Sequence, residues 1–175
     1  MKTTNFLMLF LGASLFLTIG FIACKKDNAS GTTKFSVKMT DNPFDATEVN
    51  VDVQQVLINY DDDSTEWVNL QTHTGVYNLL DLQNNVDTLI AEAIIPTGKI
   101  EEIRLVLGSD NTIVFDSVSY PLTIPSGSQS GLKIKVNKEL NGSVDSLLID
   151  FDAALSILQT GAGDYKLKPV IKVKG

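Results

Sequence analysis

From Lys34 onward the chain is written in short runs where apolar and polar residues alternate, the period of a strand with one buried face. Phe35, Val37 and Met39 alternate with Ser36 and Lys38. Val49, Val51 and Val53 alternate with Asn50 and Asp52, and the run continues through Val56, Leu57 and Ile58 after an expected bulge at Gln54-Gln55. Shorter strands are predicted over 67–70 and 76–80, with Thr72-His73-Thr74-Gly75 as the turn between them and His73 at its exposed tip. Helix competes at 83–93, where Val86, Leu89, Ile90 and Ala93 recur at spacings of three and four before Pro96-Thr97-Gly98. Strands resume around Ile103, Leu105 and Leu107, turn at Gly108-Ser109-Asp110-Asn111, and return over 112–115 and 118–124. After the loop 125–131, further strands carry Leu132, Ile134 and Val136, then Leu147, Ile149 and Phe151. A helical turn over 153–158 fits an Asp152 cap and a Gly161 stop, and 165–173 forms a last strand that Pro169 marks as an edge or a bulge. Roughly eight to ten short strands with one or two helical turns predict an all-β fold, an antiparallel β-sandwich of immunoglobulin-like or prealbumin-like form.

The first 33 residues follow another pattern. Residues 6–23 hold no charge, follow Lys2, and run straight into Cys24, which is the architecture of a signal peptide. An uncharged run of that length would also serve as an uncleaved membrane anchor; the cysteine at its end decides between the two. Phe21-Ile22-Ala23-Cys24 resembles the bacterial lipobox, with Phe21 in place of the usual Leu, and implies acylation of Cys24 and cleavage before it. The expected organisation is therefore a lipoprotein signal peptide over 1–23, a lipidated Cys24 with a polar tether over 24–33, and one β-sandwich domain over 34–175. The attached chains, palmitate among them, contribute about 0.8 kcal/mol per buried methylene, so the anchor is effectively permanent. The Cys24-Lys25-Lys26-Asp27 start is similar to lipoproteins of the Bacteroidota, which places the protein at the outer membrane or cell surface.

Thirteen of the 14 basic and all 21 acidic residues lie beyond residue 23, so the mature chain carries a net charge of −8. That charge repels phosphate backbones and discounts nucleic acid as a partner. A lone cysteine excludes an internal disulfide and a thiolate zinc cluster, and the single histidine, His73, limits imidazole-based metal or catalytic sites.

Over 34–173 the chain resembles the bacterial family known as domain of unknown function 4382. Six segments carry the likeness: Met39-Thr40-Asp41-Asn42-Pro43; Tyr77 to Leu82; Pro96-Thr97-Gly98 through Gly108; Tyr120-Pro121-Leu122 through Lys133; Ile149-Asp150-Phe151-Asp152-Ala153; and Leu167-Lys168-Pro169-Val170-Ile171. The resemblance implies a β-sandwich on an exported protein and supplies no catalytic residue.

Candidate chemistry is sparse. Gly127-Ser128-Gln129-Ser130-Gly131-Leu132-Lys133 lacks the spacing of a phosphate loop and leads into a strand, and Gln129 stands where a nucleophile elbow needs serine. No serine is marked as a triad partner for His73. Asp61, Asp62 and Asp63 offer hard oxygen ligands of the kind calcium takes, with Asp110, Asn111, Asp150 and Asp152 as further ligands, although the spacing is not that of an EF-hand. No other cofactor is indicated. Asp81, Asp150 and Asp152 are the acids available to a glycan hydrolase. Tyr60, Trp67, Tyr77, Tyr120 and Tyr165 are the aromatics available to a sugar ring, with Trp67 read first as a core residue. Asp87-Thr88-Leu89, Asp116-Ser117-Val118 and Asp145-Ser146-Leu147 match an O-glycosylation pattern of exported Bacteroidota proteins. The expected function is non-enzymatic: a membrane-anchored envelope lipoprotein binding or holding a glycan or an envelope protein. A carboxylate-dependent envelope glycan hydrolase is the alternative.

Overall fold

The computed structural model describes residues 31–60, 66–125, 131–161 and 163–174. The alternating runs become strands in chain order: β1 (Thr32–Thr40), β2 (Glu48–Asn59), β3 (Val68–Asn69), β4 (Gln71–Thr72), β5 (Gly75–Asn78), β6 (Thr88–Pro96), β7 (Gly98–Leu107), β8 (Thr112–Phe115), β9 (Val118–Thr123), β10 (Leu132–Leu140), β11 (Val144–Phe151), β12 (Ile157–Gln159), β13 (Tyr165–Leu167) and β14 (Ile171–Lys174). A 3-10 turn (Leu79–Leu82) follows β5, and one helical turn, α1 (Ala153–Ser156), follows β11.

The strands form two sheets packed face to face, an all-β sandwich. The first sheet has the order β14-β11-β1-β6-β4. The second runs β10-β7-β2-β8-β9-β13-β12, with β3 and β5 also paired to β2. The core lies between them. Phe35, Met39, Ile149 and Phe151 from the first sheet meet Val51, Ile58, Ile103, Leu105 and Ile113 from the second, all fully buried. This is the period-two face that the sequence predicts.

The structure corrects the sequence reading at three places. The sheets are mixed: β1 pairs in parallel with β11, from Lys34↔Val144 to Thr40↔Asp150, and β13 pairs in parallel with β9. The segment 83–93 is no helix. Asn84 and Asn85 take left-handed backbone (φ 57° and 67°), which stops a helix, and β6 then pairs antiparallel with β1. The last predicted strand is two strands, because the chain leaves the second sheet after Leu167 and enters the first at Ile171 around Pro169. The bulge at Gln54-Gln55 is present as a register shift in the β2–β7 ladder. Asp116 and Ser117, at φ 47° and 67°, make the tight turn from β8 to β9.

One turn demands its glycine. Gly108 donates its N–H to the Asp52 carbonyl at 2.8 Å, and its own carbonyl accepts from Asn111 Nδ2 at 2.8 Å. A Cβ there would stand 1.9 Å from Asp52 Oδ2. Asp52 has no room to yield, since it is buried and its carboxylate accepts from Gln54 Nε2 and from the Asp110 N–H. Gly108→Ala is expected to destabilise the domain by about 1–3 kcal/mol through this overpacking, measured as a lowered urea midpoint at unchanged slope.

Candidate acidic site at the end of the first sheet

β1 and β11 run the same way, so their last residues leave the sheet at one end. There Met39-Thr40-Asp41-Asn42-Pro43 meets Ile149-Asp150-Phe151-Asp152-Ala153, two segments more than a hundred residues apart. Asp41 is 2% exposed, Asp150 5% and Asp152 7%.

Each carboxylate has a structural task. Asp41 Oδ1 accepts from the Ala153 N–H at 2.9 Å, while the Asp41 N–H reaches the Leu82 carbonyl at 3.1 Å. Asp152 caps α1 by accepting from the Leu155 N–H at 3.1 Å. Asn42 Nδ2 donates to Asp150 Oδ2 at 3.0 Å and approaches Asp152 Oδ2 at 3.5 Å. Lys172 and Lys174, on the adjoining β14, come within 3.7 Å of Asp152 and 3.8 Å of Asp150. The Ser156 hydroxyl donates to the Asp152 carbonyl at 2.6 Å and accepts from the Val170 N–H at 2.8 Å, tying α1 to the segment that leads into β14. The Thr40 hydroxyl lies 2.9 Å from the Leu82 carbonyl and 2.8 Å from that of Val86.

Two buried oxygens, Asp41 Oδ2 and Asp150 Oδ1, have no hydrogen-bond partner. Burial pushes the Asp41 carboxyl up to about 6, and the charges of Asp150 and Asp152 push the same way; the N–H groups of Ala153 and Asn42 oppose them. Asp41 is thus a buried acid that binds a proton more tightly folded than unfolded.

The other sequence candidates are dispersed. Asp110 and Asn111 belong to the Gly108 turn, where Asn111 Oδ1 accepts from the Asp52 N–H at 2.9 Å. Asp81 is exposed in the 3-10 turn. Asp61, Asp62 and Asp63 lie outside the described residues, as do 126–130 of the glycine-serine loop. Among the described residues no group of three or more His, Cys, Asp or Glu is arranged to hold a metal ion. His73 is exposed beyond β4, its N–H donating to the Ile90 carbonyl at 2.8 Å. Ser117 and Ser146 are exposed, whereas Thr88 is half-buried at the start of β6.

The aromatics are engaged. The Tyr60 hydroxyl donates to the Pro96 carbonyl at 2.8 Å, and that of Tyr77 to the His73 carbonyl. Tyr165 packs between Tyr120, at 5.2 Å, and Phe115, at 5.6 Å. Trp67 is not in the core. It is half-buried, with the Arg104 guanidinium 3.9 Å above its ring and Lys133 Nζ at 5.4 Å. The register Arg104↔Lys133 brings two cations side by side, a pairing that single-strand periodicity does not reveal. A cavity of about 380 Å³ lies beside the Gly108 turn, lined by Leu107, Pro121, Leu122 and Ile124. A groove of about 580 Å³ separates β10 from β11 and β14.

The family model described as a domain of unknown function (DUF4382) matches residues 32–169. The chain belongs to this family. Of the DUF4382 segments named above, the two that hold the acidic cluster and the Leu167–Ile171 segment converge on one end of the first sheet. No curated protein and no solved structure matches the chain.

The raised Asp41 group has a definite consequence. Below the unfolded carboxylate range, near pH 4, Asp41 is protonated in both states and costs nothing. As pH rises toward and past about 6, the folded state must hold an unfavourable charge, a cost of up to roughly 3 kcal/mol. Asp41→Asn keeps an acceptor for the Ala153 N–H and removes that charge. The stability of the variant relative to wild type is expected to rise between pH 4 and 7, read from paired urea titrations across that range.

Proposed function

We propose that this DUF4382 protein is a lipid-anchored envelope module that binds or holds a glycan or envelope protein without catalysing a reaction. The observation that carries this reading is how the acidic cluster is used. Its carboxylates cap α1, bind backbone N–H groups across two strand ends and pair with Asn42, Lys172 and Lys174, so they brace the domain. Support for the anchor comes from the Phe21-Ile22-Ala23-Cys24 sequence and from the short distance to the fold, with β1 beginning at Thr32. The seven residues between Cys24 and Thr32 span at most about 25 Å, so the Gly31 end of the sandwich is the end tied to the membrane. The acidic cluster lies at the other end of the nine-residue β1, about 30 Å along the strand.

A second reading keeps one observation in its favour. An acid with a raised pKa beside two further carboxylates is the arrangement by which glycan hydrolases divide acid and base roles. Its weakness is access, because all three acids are buried. Incubated with peptidoglycan and with surface polysaccharide, the wild type is expected to release no reducing ends. Release by wild type that is lost in Asp41→Asn, with the fold intact by circular dichroism, would install the hydrolase in place of the binding module.

The anchor is tested in cells. Wild type is expected to fractionate with membranes, and Cys24→Ser to lose that association. Protease added to intact cells is expected to digest the wild type while sparing a periplasmic marker; protection until the outer membrane is broken would move it to the inner side of that membrane.

A further inference from the structure

The outer face of the first sheet changes character along its length. At the acidic end it carries Lys38, Lys172 and Lys174, paired with Asp87, Asp152 and Asp150. Midway lie Ser146, Ser36 and Glu92 in one cross-strand row. At the Gly31 end the row is Val144, Lys34 and Ile94, adjacent residues on β11, β1 and β6 whose side chains point to the same side. Ile94 is 75% exposed and Val144 72%, the two highest values among the large apolar side chains of the described residues, and the flanking strand spacing sets them about 10 Å apart with Lys34 between. Pro96, also exposed, extends the row on the same face beside Thr32.

Two branched aliphatic side chains, an isoleucine and a valine, exposed on the strands that flank central β1 call for a partner, and the chain itself says which. Only Thr32 and Thr33 separate this row from Gly31, and Cys24 is seven residues before that. We propose that the Val144–Lys34–Ile94 row is a lipid-contacting rim that rests on the bilayer holding Cys24, with Ile94 and Val144 in the interface and the Lys34 ammonium, which pairs at 3.2 Å with Glu92 on the side away from the Gly31 end, at the phosphate level. The inference rests on the lipid anchor proposed above. An aliphatic pair around a long cationic side chain suits that boundary, where the stem of lysine packs with acyl chains and its head stays with the phosphates. The contact gives the tethered domain a fixed stance and points the Asp41 end outward.

The test uses the full lipoprotein reconstituted in vesicles of phosphatidylethanolamine and phosphatidylglycerol. Acylation leaves no free thiol in the chain, so single variants Ile94→Cys, Val144→Cys and, on exposed β9, Ser119→Cys each accept one environment-sensitive fluorophore. Expected is a blue-shifted emission at 94 and 144 that nitroxide-labelled lipids quench, with neither effect at 119. Equal, unquenched emission at all three sites, with the diacylglyceryl mass present on Cys24, overturns the rim and leaves the anchor standing. Absence of lipid mass together with failure to float with vesicles overturns both. A blue shift at 94 and 144 without quenching, accompanied by a dimer in sedimentation equilibrium, overturns the rim in favour of a second copy of the chain covering it.

Discussion

Everything at the Asp41 end of this sandwich depends on the parallel register of β1 and β11. Seven consecutive pairs, Lys34↔Val144 to Thr40↔Asp150, place the first described strand at the centre of the first sheet beside a strand made a hundred residues later. Because the strands run the same way, Asp41-Asn42 and Asp152-Ala153 emerge together. A slip of one residue would turn Phe35, Val37 and Met39 out of the core and separate Asp41 from the Ala153 N–H. The apolar face fixes the register, and the hydrogen bonds at the strand ends record it.

The long crossover that parallel pairing requires is not a helix here but most of the second sheet. β2 organises it: twelve residues pair with β7 and β8 along their length and receive β3 and β5 as well. The Gly108 turn closes one side of that sheet through Asp52, so the buried carboxylate there serves the same end as those around Asp41, satisfying backbone N–H groups where the ladder stops. Such a topology, with neighbours distant in sequence, forms slowly compared with local hairpins.

The sequence makes the strands legible because burial on one face imposes period two, and Val49 to Val53 or Leu147 to Phe151 needs no tertiary knowledge. The stretch 83–93 misleads because spacings of three and four also arise where a turn and a bulge interrupt a strand; Val86 belongs to the turn, while Ile90 is the extra residue of a bulge in β6, so that it and Ala91 are both buried. The two acidic motifs are each visible, yet their meeting is not, since nothing local in Met39–Pro43 announces a parallel partner rather than an antiparallel one. Trp67 shows the same limit. Its short strand beside Val68 and Leu70 reads as core, and only the pairing of Arg104 with Lys133 across β7 and β10 explains why the ring lies on the outside beneath a guanidinium.

The two ends of the first sheet solve opposite problems with the same strands. At the Asp41 end, side chains that prefer water are buried, and the structure offsets their desolvation with N–H donors, an amide and two lysines, leaving Asp41 Oδ2 and Asp150 Oδ1 unmatched. At the Gly31 end, side chains that prefer to leave water are held in it, on strands too well paired to fold them inward. A domain free in solution gains nothing from the second arrangement. A domain anchored as proposed, with its Gly31 end held within about 25 Å of a bilayer, would gain from it, because such a tether brings the surfaces together in advance and two modest apolar contacts would then suffice to orient it.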